Sequence, residues 1–220
     1  MQALSNLYLA PFENERTVRW LIPFGALLTL FGYFGPWVDH NAAALVVTGL
    51  DLGEYVKFLV PVRNGTISLW REGFYLPLAT VSLTLSLFAF RGECGYNWIV
   101  RFLLLLIAWV ASLNMLPPAW SPSRLMTDEF RLQSGAIGVC LAASLVSPLL
   151  ALFPIRLSLS IVSLLGIGAM LFPIRNFWRI LPTIGTLYQN NIVAGWGLYV
   201  MALGLIILIG GCWAIAERRR

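Results

Sequence analysis

The amino-acid sequence predicts an all-α fold, an integral membrane bundle of about six transmembrane helices. Three observations indicate it: 59% of the 220 residues are hydrophobic, only 11% are charged, and the apolar residues are gathered into six stretches. A bilayer-crossing helix needs about 20 apolar residues, so six crossings would use most of the hydrophobic residues. This composition argues against a soluble enzyme, a nucleic-acid-binding domain and a small disulfide-linked scaffold.

The six predicted spans make up a single polytopic membrane domain covering residues 1–220. They lie near 18–38, 73–90, 98–116, 134–152, 157–172 and 194–216. The fifth is the shortest and begins three residues after Pro154, so it either crosses after a tight hairpin or forms a re-entrant element. An even number of crossings places both termini on the same side of the membrane.

The arginine distribution predicts cytoplasmic termini and a location in the plasma membrane of a bacterium. Arginines precede the first span, flank the turn after the second and end the chain (Arg16, Arg19, Arg91, Arg101 and Arg218 to Arg220). Basic residues close to the spans mark the cytoplasmic side. As an alternative, the first span is a secretory signal cleaved near Ala42 to Ala44, but its apolar run is long for a signal and ends in Pro36 and Trp37.

The outer loop at 39–72 is the longest predicted soluble segment. Asp51 can cap a short interfacial helix over 52–60, which Pro61 would end. The tripeptide Asn64-Gly65-Thr66 is typical of a turn, and it also matches the glycosylation sequon. The stretch 66–70 has the composition of a strand.

Each odd-numbered span is followed by proline and then tryptophan: Pro36 and Trp37, Pro117 and Trp120, Pro173 and Trp178. The pattern is compatible with three related helical hairpins. It has a simpler explanation in the helix-stopping effect of proline and the preference of tryptophan for the membrane interface.

Small residues recur at helical spacing on three spans. The sets are Gly25 and Gly32 on the first, Ser134, Gly138 and Ala142 on the fourth, and Gly197, Gly204 and Gly211 on the sixth. Small residues let membrane helices approach closely, so these stripes predict helix-packing seams within the bundle. The alternative is a face through which two copies of the chain form a homo-oligomer.

The spans lack the residues that most membrane chemistry uses. No Asp, Glu, Lys or His lies in the middle of any span, which disfavours a proton pump or an ion-coupled carrier. The sequence has one histidine and three widely spaced cysteines, and it shows no metal-binding, cofactor-binding or catalytic motif. Thr80, Ser82, Thr84 and Ser86 alternate along the second span, where back-bonding to helix carbonyls is the simplest interpretation.

Polar residues at the predicted outer ends are candidates for contacts with a ligand or with lipid headgroups. They are Asp39, His40, Asn114, Arg175, Trp178 and Arg179. The two arginines and the tryptophan lie in the predicted last outer loop, 173–193, where headgroup anchoring is the default interpretation. For Asn114 the default is a hydrogen bond to a neighbouring helix.

At Gly35 to Val38 and at Gly49 to Asp51 the sequence resembles a group of uncharacterised small bacterial polytopic membrane proteins. In that group the first span ends in Pro-Trp and an outer loop with a Gly-x-Asp step follows. The resemblance covers about the first quarter of the chain and implies a membrane location but no activity. The size and span number are also similar to the substrate-capturing membrane subunits of vitamin importers, by architecture alone.

These features favour a non-enzymatic accessory or scaffold subunit of a plasma-membrane complex. The expected partners are the lipid bilayer and membrane proteins, with no nucleic acid and no cofactor. The alternative is a small permease or a substrate-capturing subunit of a transporter, with 39–72 and 173–193 forming an outer mouth. An intramembrane enzyme acting on lipid near Asp39, His40, Arg175 and Arg179 is a third hypothesis.

Overall fold

A computed structural model of the protein describes residues 15–40, 46–118, 120–189 and 192–217. These residues are mostly helical, which confirms the predicted all-α class. We call the end of the molecule that carries residues 36–72 the loop end. The opposite end, which carries the turn at residues 91–97, is the turn end.

In chain order the elements are α1 (Glu15–Val18), α2 (Leu21–Phe34), β1 (Pro36–Val38), β2 (Val47–Thr48), α3 (Gly49–Tyr55), α4 (Val60–Arg63), α5 (Leu76–Phe88), α6 (Trp98–Leu113), α7 (Pro122–Leu125), α8 (Arg131–Leu145), α9 (Ser147–Leu150), α10 (Ile155–Tyr188) and α11 (Trp196–Glu217). Short 3₁₀ turns lie at Val56–Phe58, Arg71–Tyr75 and Gly92–Cys94.

Each predicted span contains a helix. Two of the described helices, α10 and α11, are long and apolar enough to cross a membrane, whereas α2 and α6 are apolar but shorter. The count of six crossings therefore stays a prediction.

The closest helix pair is α2 with α11, which run antiparallel with their backbones in contact. A Cβ atom built on Gly25 would lie 2.5 Å from the amide nitrogen of Leu208, and one on Gly204 would lie 2.7 Å from the Cα of Thr29. Real Cβ atoms essentially never come closer than 3.0 Å to another atom, so a side chain here would force the helices apart.

The other glycines of the two predicted stripes also lie where α2 contacts α11. A Cβ on Gly32 would be 2.7 Å from the carbonyl oxygen of Gly197, and a Cβ on Gly197 would be 2.7 Å from that of Gly32. A Cβ on Gly211 would lie 2.8 Å from the Cβ of Leu21. The structure thus places the two seven-residue stripes, one on each helix, against each other.

The stripe of Ser134, Gly138 and Ala142 on α8 is placed differently. Gly138 and Ala142 are exposed, and a Cβ on Gly138 would meet nothing within 4 Å. The hydroxyl of Ser134, which is half-buried, donates to the carbonyl of Leu125 at 2.9 Å. This corrects the expectation that the stripe forms a seam inside the bundle, because α8 packs a different face against its neighbours. Its buried residues are Gln133, Ile137, Cys140 and Ser144.

The central helix is α5, in which 11 of 13 residues are buried. It contacts α2, α6, α8, α9 and α10. Ser82 shares a 2.8 Å hydrogen bond with Ser112 of α6, and Ser86 shares a 2.9 Å bond with Ser144 of α8. Ser86 also donates to the carbonyl of Ser82 at 2.8 Å, which is the back-bonding expected from the sequence. The alternating hydroxyls therefore join helices as well as satisfying their own helix.

Helix α10 is 34 residues long and continues through Pro173 and Pro182. This corrects the predicted outer loop at 173–193, because residues 173–188 extend the fifth helix. A proline removes one helix hydrogen bond but fixes φ at a helical value, so a well-packed helix can continue through it. Ala169, Pro173 and Phe177 are all buried on one face of α10, which supplies that packing.

The loop at 39–72 also differs in detail from its prediction. The expected helix over 52–60 is displaced, because α3 begins at Gly49 and ends at Tyr55. Thr48 is the N-cap, and Asp51 completes a capping box from the third helical position instead of capping the helix itself. Pro61 lies in the first turn of α4, where proline is accommodated. The stretch 66–70 is not a strand, and Asn64 and Gly65 form a turn.

A short antiparallel ladder fastens the loop end. β1 directly follows α2 and pairs with β2, with Pro36 opposite Thr48. On its other side Val38 forms a bridge with Ala194, and the amide of Gly195 donates to the carbonyl of Trp37 at 2.8 Å. The extended segment after α2 is therefore held by the segment that leads into α11.

Candidate functional site

The loop end is built on a buried aromatic cluster around Trp37. This residue, expected at the membrane interface, is fully buried, and its indole Nε1 donates to the carbonyl of Gly32 at 3.2 Å. The rings of Tyr33, Phe74 and Phe177 meet the indole edge-on, with centroids 6.2, 6.3 and 5.9 Å away. Trp37 is thus a core residue that joins α2, the 71–75 turn and α10.

The other two tryptophans of the Pro-Trp pattern have different environments. Trp120 is 55% exposed and Trp178 is 50% exposed. The three Pro-Trp pairs are therefore structurally unlike one another. This argues against three hairpins of one plan, and the simpler explanation also fails at Pro173, which does not end its helix, and at Trp37, which is buried.

Of the adjacent pair of candidates, Asp39 is exposed and His40 is half-buried. The imidazole of His40 meets the ring of Tyr188 edge-on, with centroids 5.6 Å apart. Tyr188 also lies beside Tyr55, and burial, with a smaller effect of Tyr188, raises the pKa of the Tyr55 hydroxyl. His40 thus joins the chain after β1 to the end of α10 by ring packing.

Arg175, Trp178 and Arg179 share the exposed face of α10, because residues three and four apart lie above one another on a helix. Arg179 donates to the carbonyl of Ser68 at 3.0 Å. Together with residues 66–68 it lines a cavity of about 370 Å³. The two arginines and the tryptophan can meet an anionic group at this end of the helix.

Asn114 ends α6 and serves its own helix. Its side-chain Nδ2 donates to the carbonyl of Val110 at 2.8 Å. The same carbonyl also accepts a hydrogen bond from the backbone amide of Asn114 at 3.0 Å, so the residue closes its own helix end twice. The described hydrogen bond is thus within one helix, whereas the sequence favoured a bond to a neighbouring helix.

The sequence interpretation missed Asn176, which lies between two of its candidates. The side chain is buried, and Nδ2 donates to the carbonyl of Trp70 at 2.8 Å. The ring of Trp70 also packs edge-on against Phe172 at 5.2 Å. These contacts attach the loop at 39–72 to α10. An asparagine three residues after a proline in an apolar segment was the available signal.

Charged residues join the loop at 39–72 to the segment that leads into α8. Glu129 lies 3.2 Å from the Arg71 guanidinium and 3.8 Å from the Lys57 ammonium. Lys57 also pairs with Glu54 at 2.5 Å, and both cations lie over the ring of Phe130. Because Glu129 is 55% exposed, its pairs are screened by solvent and each contributes at most about 1 kcal/mol.

Arg91 is the buried charge of the turn end, with 2% of its surface exposed. Its guanidinium donates to the carbonyl of Phe153 at 3.0 Å and to the hydroxyl of Ser158 at 2.6 Å. The same group lies 5.4 Å from the ring centroid of Phe88. The sequence interpretation used Arg91 only as a topology marker, whereas the structure makes it the link between the 91–97 turn and the start of α10.

Two further arginines fix the same turn. Arg19 donates to the carbonyl of Gly95 at 3.2 Å, and Arg101 donates through Nε to the carbonyl of Tyr96 at 2.9 Å. The Tyr96 hydroxyl in turn donates to the carbonyl of Arg19. Burial raises the pKa of the Cys94 thiol to about 12, and Glu93 adds to the rise. The thiol is therefore neutral at physiological pH and a poor nucleophile.

Within the four described ranges, no group of three or more His, Cys, Asp or Glu side chains could hold a metal ion. Cys94, Cys140 and Cys212 are buried free thiols. The Tyr33 hydroxyl is fully buried and has no hydrogen-bond partner among the described residues. The polar groups of the two ends mainly hold helices and loops together.

No protein-family model, curated protein or solved structure matches the chain.

Proposed function

We propose that the chain is a polytopic, non-enzymatic accessory or scaffold subunit of a bacterial plasma-membrane complex. In this proposal it crosses the membrane six times, with both termini and the turn end in the cytoplasm. The observation that carries the proposal is a closed helical interior combined with a broad apolar surface on α6 and α8. A partner helix can use such a surface.

The helix lengths support six crossings once neighbouring helical segments are combined. α1 and α2 together cover 15–34, the 71–75 turn leads directly into α5, and α8 and α9 together cover 131–150. Each of these composite segments has 18 to 20 residues. At 1.5 Å per residue they measure about 27–30 Å, which matches the hydrocarbon core of a bilayer.

The fifth crossing is delimited by two arginines on α10. The 18 residues from 157 to 174 lie between Arg156 and Arg175 and contain no charged residue. They measure about 27 Å along the helix, so the two guanidinium groups fall at opposite interfaces. This spacing favours a complete crossing over a re-entrant element.

The charge distribution supports the orientation. At the turn end, Arg19, Arg91 and Arg101 contact backbone carbonyls. At the loop end, Lys57 and Arg71 are paired with glutamates. In the predicted topology eight of the 15 basic residues lie on the cytoplasmic side and seven on the other, and those of the cytoplasmic side lie closer to the spans, which is the pattern of that side.

The surface of α6 and α8 supports the scaffold role. Only four of the 16 residues of α6 are buried, and the exposed ones include Phe102, Leu106 and Trp109. These three residues also line an apolar cavity of about 420 Å³ between α6 and α8–α9. The exposed Gly138 and Ala142 of the α8 stripe would let a helix of a partner subunit approach closely.

A photo-crosslinking experiment in cells tests the scaffold role. A benzophenone amino acid replaces Gly138 in one variant and Gly210 of α11 in the control, because both glycines are exposed and have nothing within 4 Å. We expect one defined protein adduct from position 138 and only lipid adducts from position 210. Lipid adducts alone at both positions would contradict the scaffold role. An adduct of the chain with itself would show that this surface contacts a second copy of the chain and not a different subunit.

The cavity beside Arg179 favours the permease or substrate-capturing subunit as a second candidate. A ligand that binds only the folded state stabilises it, by about 2.7 kcal/mol at a hundredfold excess over Kd. A thermal-shift screen of vitamins, amino acids and metal ions on the purified protein would detect this. A shift that disappears when Arg175 and Arg179 are both replaced by alanine would establish the second candidate over the scaffold.

A further inference from the structure

Two side chains of opposite charge line one cavity at the turn end. The cavity has a volume of about 580 Å³ and lies between α10 and α11. Arg156 is on its α10 side and Glu217 on its α11 side. Both are exposed, and within the described residues neither forms a salt bridge with the other or with a third group. Two unpaired opposite charges on one cavity fit a ligand that carries both signs.

The start of α10 reinforces this separation of charge. α10 begins at Ile155, so the positive end of its dipole lies beside Arg156. On the α11 side the negative charge is supplied by the carboxylate of Glu217, the last described residue of that helix. One side of the cavity therefore favours an anionic group and the other a cationic group.

The rest of the lining suits a molecule with an apolar body. Ile155, Leu159 and Ala216 contribute apolar surface. The indole of Trp213 also lines the cavity, and its Nε1 donates to the hydroxyl of Ser163 at 3.0 Å. Tryptophan at this depth is typical of the headgroup region of a bilayer.

From this arrangement we infer that the cavity binds a phospholipid whose headgroup carries a primary ammonium, such as phosphatidylethanolamine. Arg156 contacts the phosphate, Glu217 accepts hydrogen bonds from the ammonium, and the acyl chains lie along the outer surface of the helices beside Trp213, which is 47% exposed. A choline headgroup has no N–H to donate, and a glycerol headgroup has no positive charge. The inference rests on the proposed membrane location.

Lipid-dependent stability of the full chain provides the test. The protein is purified in detergent and its Tm is measured after adding dioleoyl phosphatidylethanolamine, phosphatidylcholine or phosphatidylglycerol at equal concentration. We expect the largest rise with the ethanolamine lipid. Arg156→Gln and Glu217→Gln should each weaken its apparent affinity about tenfold, as expected for loss of one charge-assisted contact. Arg63→Gln removes an exposed arginine of α4 at the loop end and should leave the apparent affinity unchanged.

The competing occupant is an anionic lipid, since Arg218, Arg219 and Arg220 follow Glu217 in the sequence. If the Tm of the wild-type protein rises more with phosphatidylglycerol, or rises equally with all three lipids, the inference is overturned. This result does not depend on any variant. Helical circular dichroism checks that each variant folds. Extraction of the chain from membranes by alkaline carbonate would instead contradict the proposed membrane location, so the two failures are distinguishable.

Discussion

Replacing Gly204 by alanine should separate α2 from α11. The new Cβ would lie 2.6 Å from the Oγ1 of Thr29 and 2.7 Å from its Cα, whereas ordinary contact begins at 3.4 Å. The nearest atom is the backbone nitrogen of Thr29, so α2 must move back by about 1 Å to restore contact distance. Overpacking of this kind costs about 1–3 kcal/mol, and the better helix propensity of alanine returns about 0.5–1 kcal/mol. We expect a net loss of up to about 2.5 kcal/mol relative to the wild type, and of about 1–3 kcal/mol relative to the same substitution at a helical glycine with open space.

Gly210→Ala is the matched control, because it lies on the same helix and its added Cβ meets nothing within 4 Å. It should be neutral or slightly stabilising. Equilibrium unfolding in mixed micelles, followed by circular dichroism, gives the free energy of unfolding of both variants. If Gly204→Ala is as stable as Gly210→Ala, the backbone contact between α2 and α11 is not the seam described above.

Two further predictions concern the turn end. Arg91→Ala leaves the Phe153 carbonyl and the Ser158 hydroxyl without their donor, so it should lower the free energy of unfolding by about 1–3 kcal/mol. Arg175→Ala, at an exposed position, should lower it by less than about 0.5 kcal/mol. Equal losses of the two variants in thermal unfolding would contradict this. The folded-state pKa of Cys94 is raised to about 12, so the stability contributed by its neutral thiol is fully present below the ordinary value of 9.0 and is lost as pH rises toward 12. A maleimide at pH 7.5 should therefore label Cys94 only after denaturation, and rapid labelling of the native protein would show that the thiol is accessible and ionised.

The sequence was sufficient for the fold class and for the location of most helices, because apolar periodicity and composition report burial directly. It was also sufficient to identify the glycines of α2 and α11, since close approach of two helices requires them. It could not indicate that these two stripes face each other, because helix pairing depends on the whole bundle. For the same reason the Ser134, Gly138 and Ala142 stripe was assigned to the interior, although α8 turns that face outward.

Local signals failed where packing outweighed them. Pro173 was expected to end a helix, yet α10 continues because its buried face packs on both sides of the proline. Arg91 and Asn176 looked like residues of exposed loops, and no local pattern indicates that their donors reach carbonyls 62 and 106 residues away in the chain. Trp37 has the sequence context of an interfacial residue, but the ladder of β1 with β2 encloses it.

The most direct test of the proposed topology is cysteine labelling from each side of the membrane. Single cysteines at Gly65, Ser123, Gly92 and Arg156 are introduced into a chain whose three native cysteines are replaced by serine or alanine, and intact cells are treated with a membrane-impermeant maleimide. We expect labelling of positions 65 and 123 in intact cells, and of 92 and 156 only after permeabilisation. Labelling of position 156 in intact cells would contradict it, since Arg156 would then lie on the same side as Gly65.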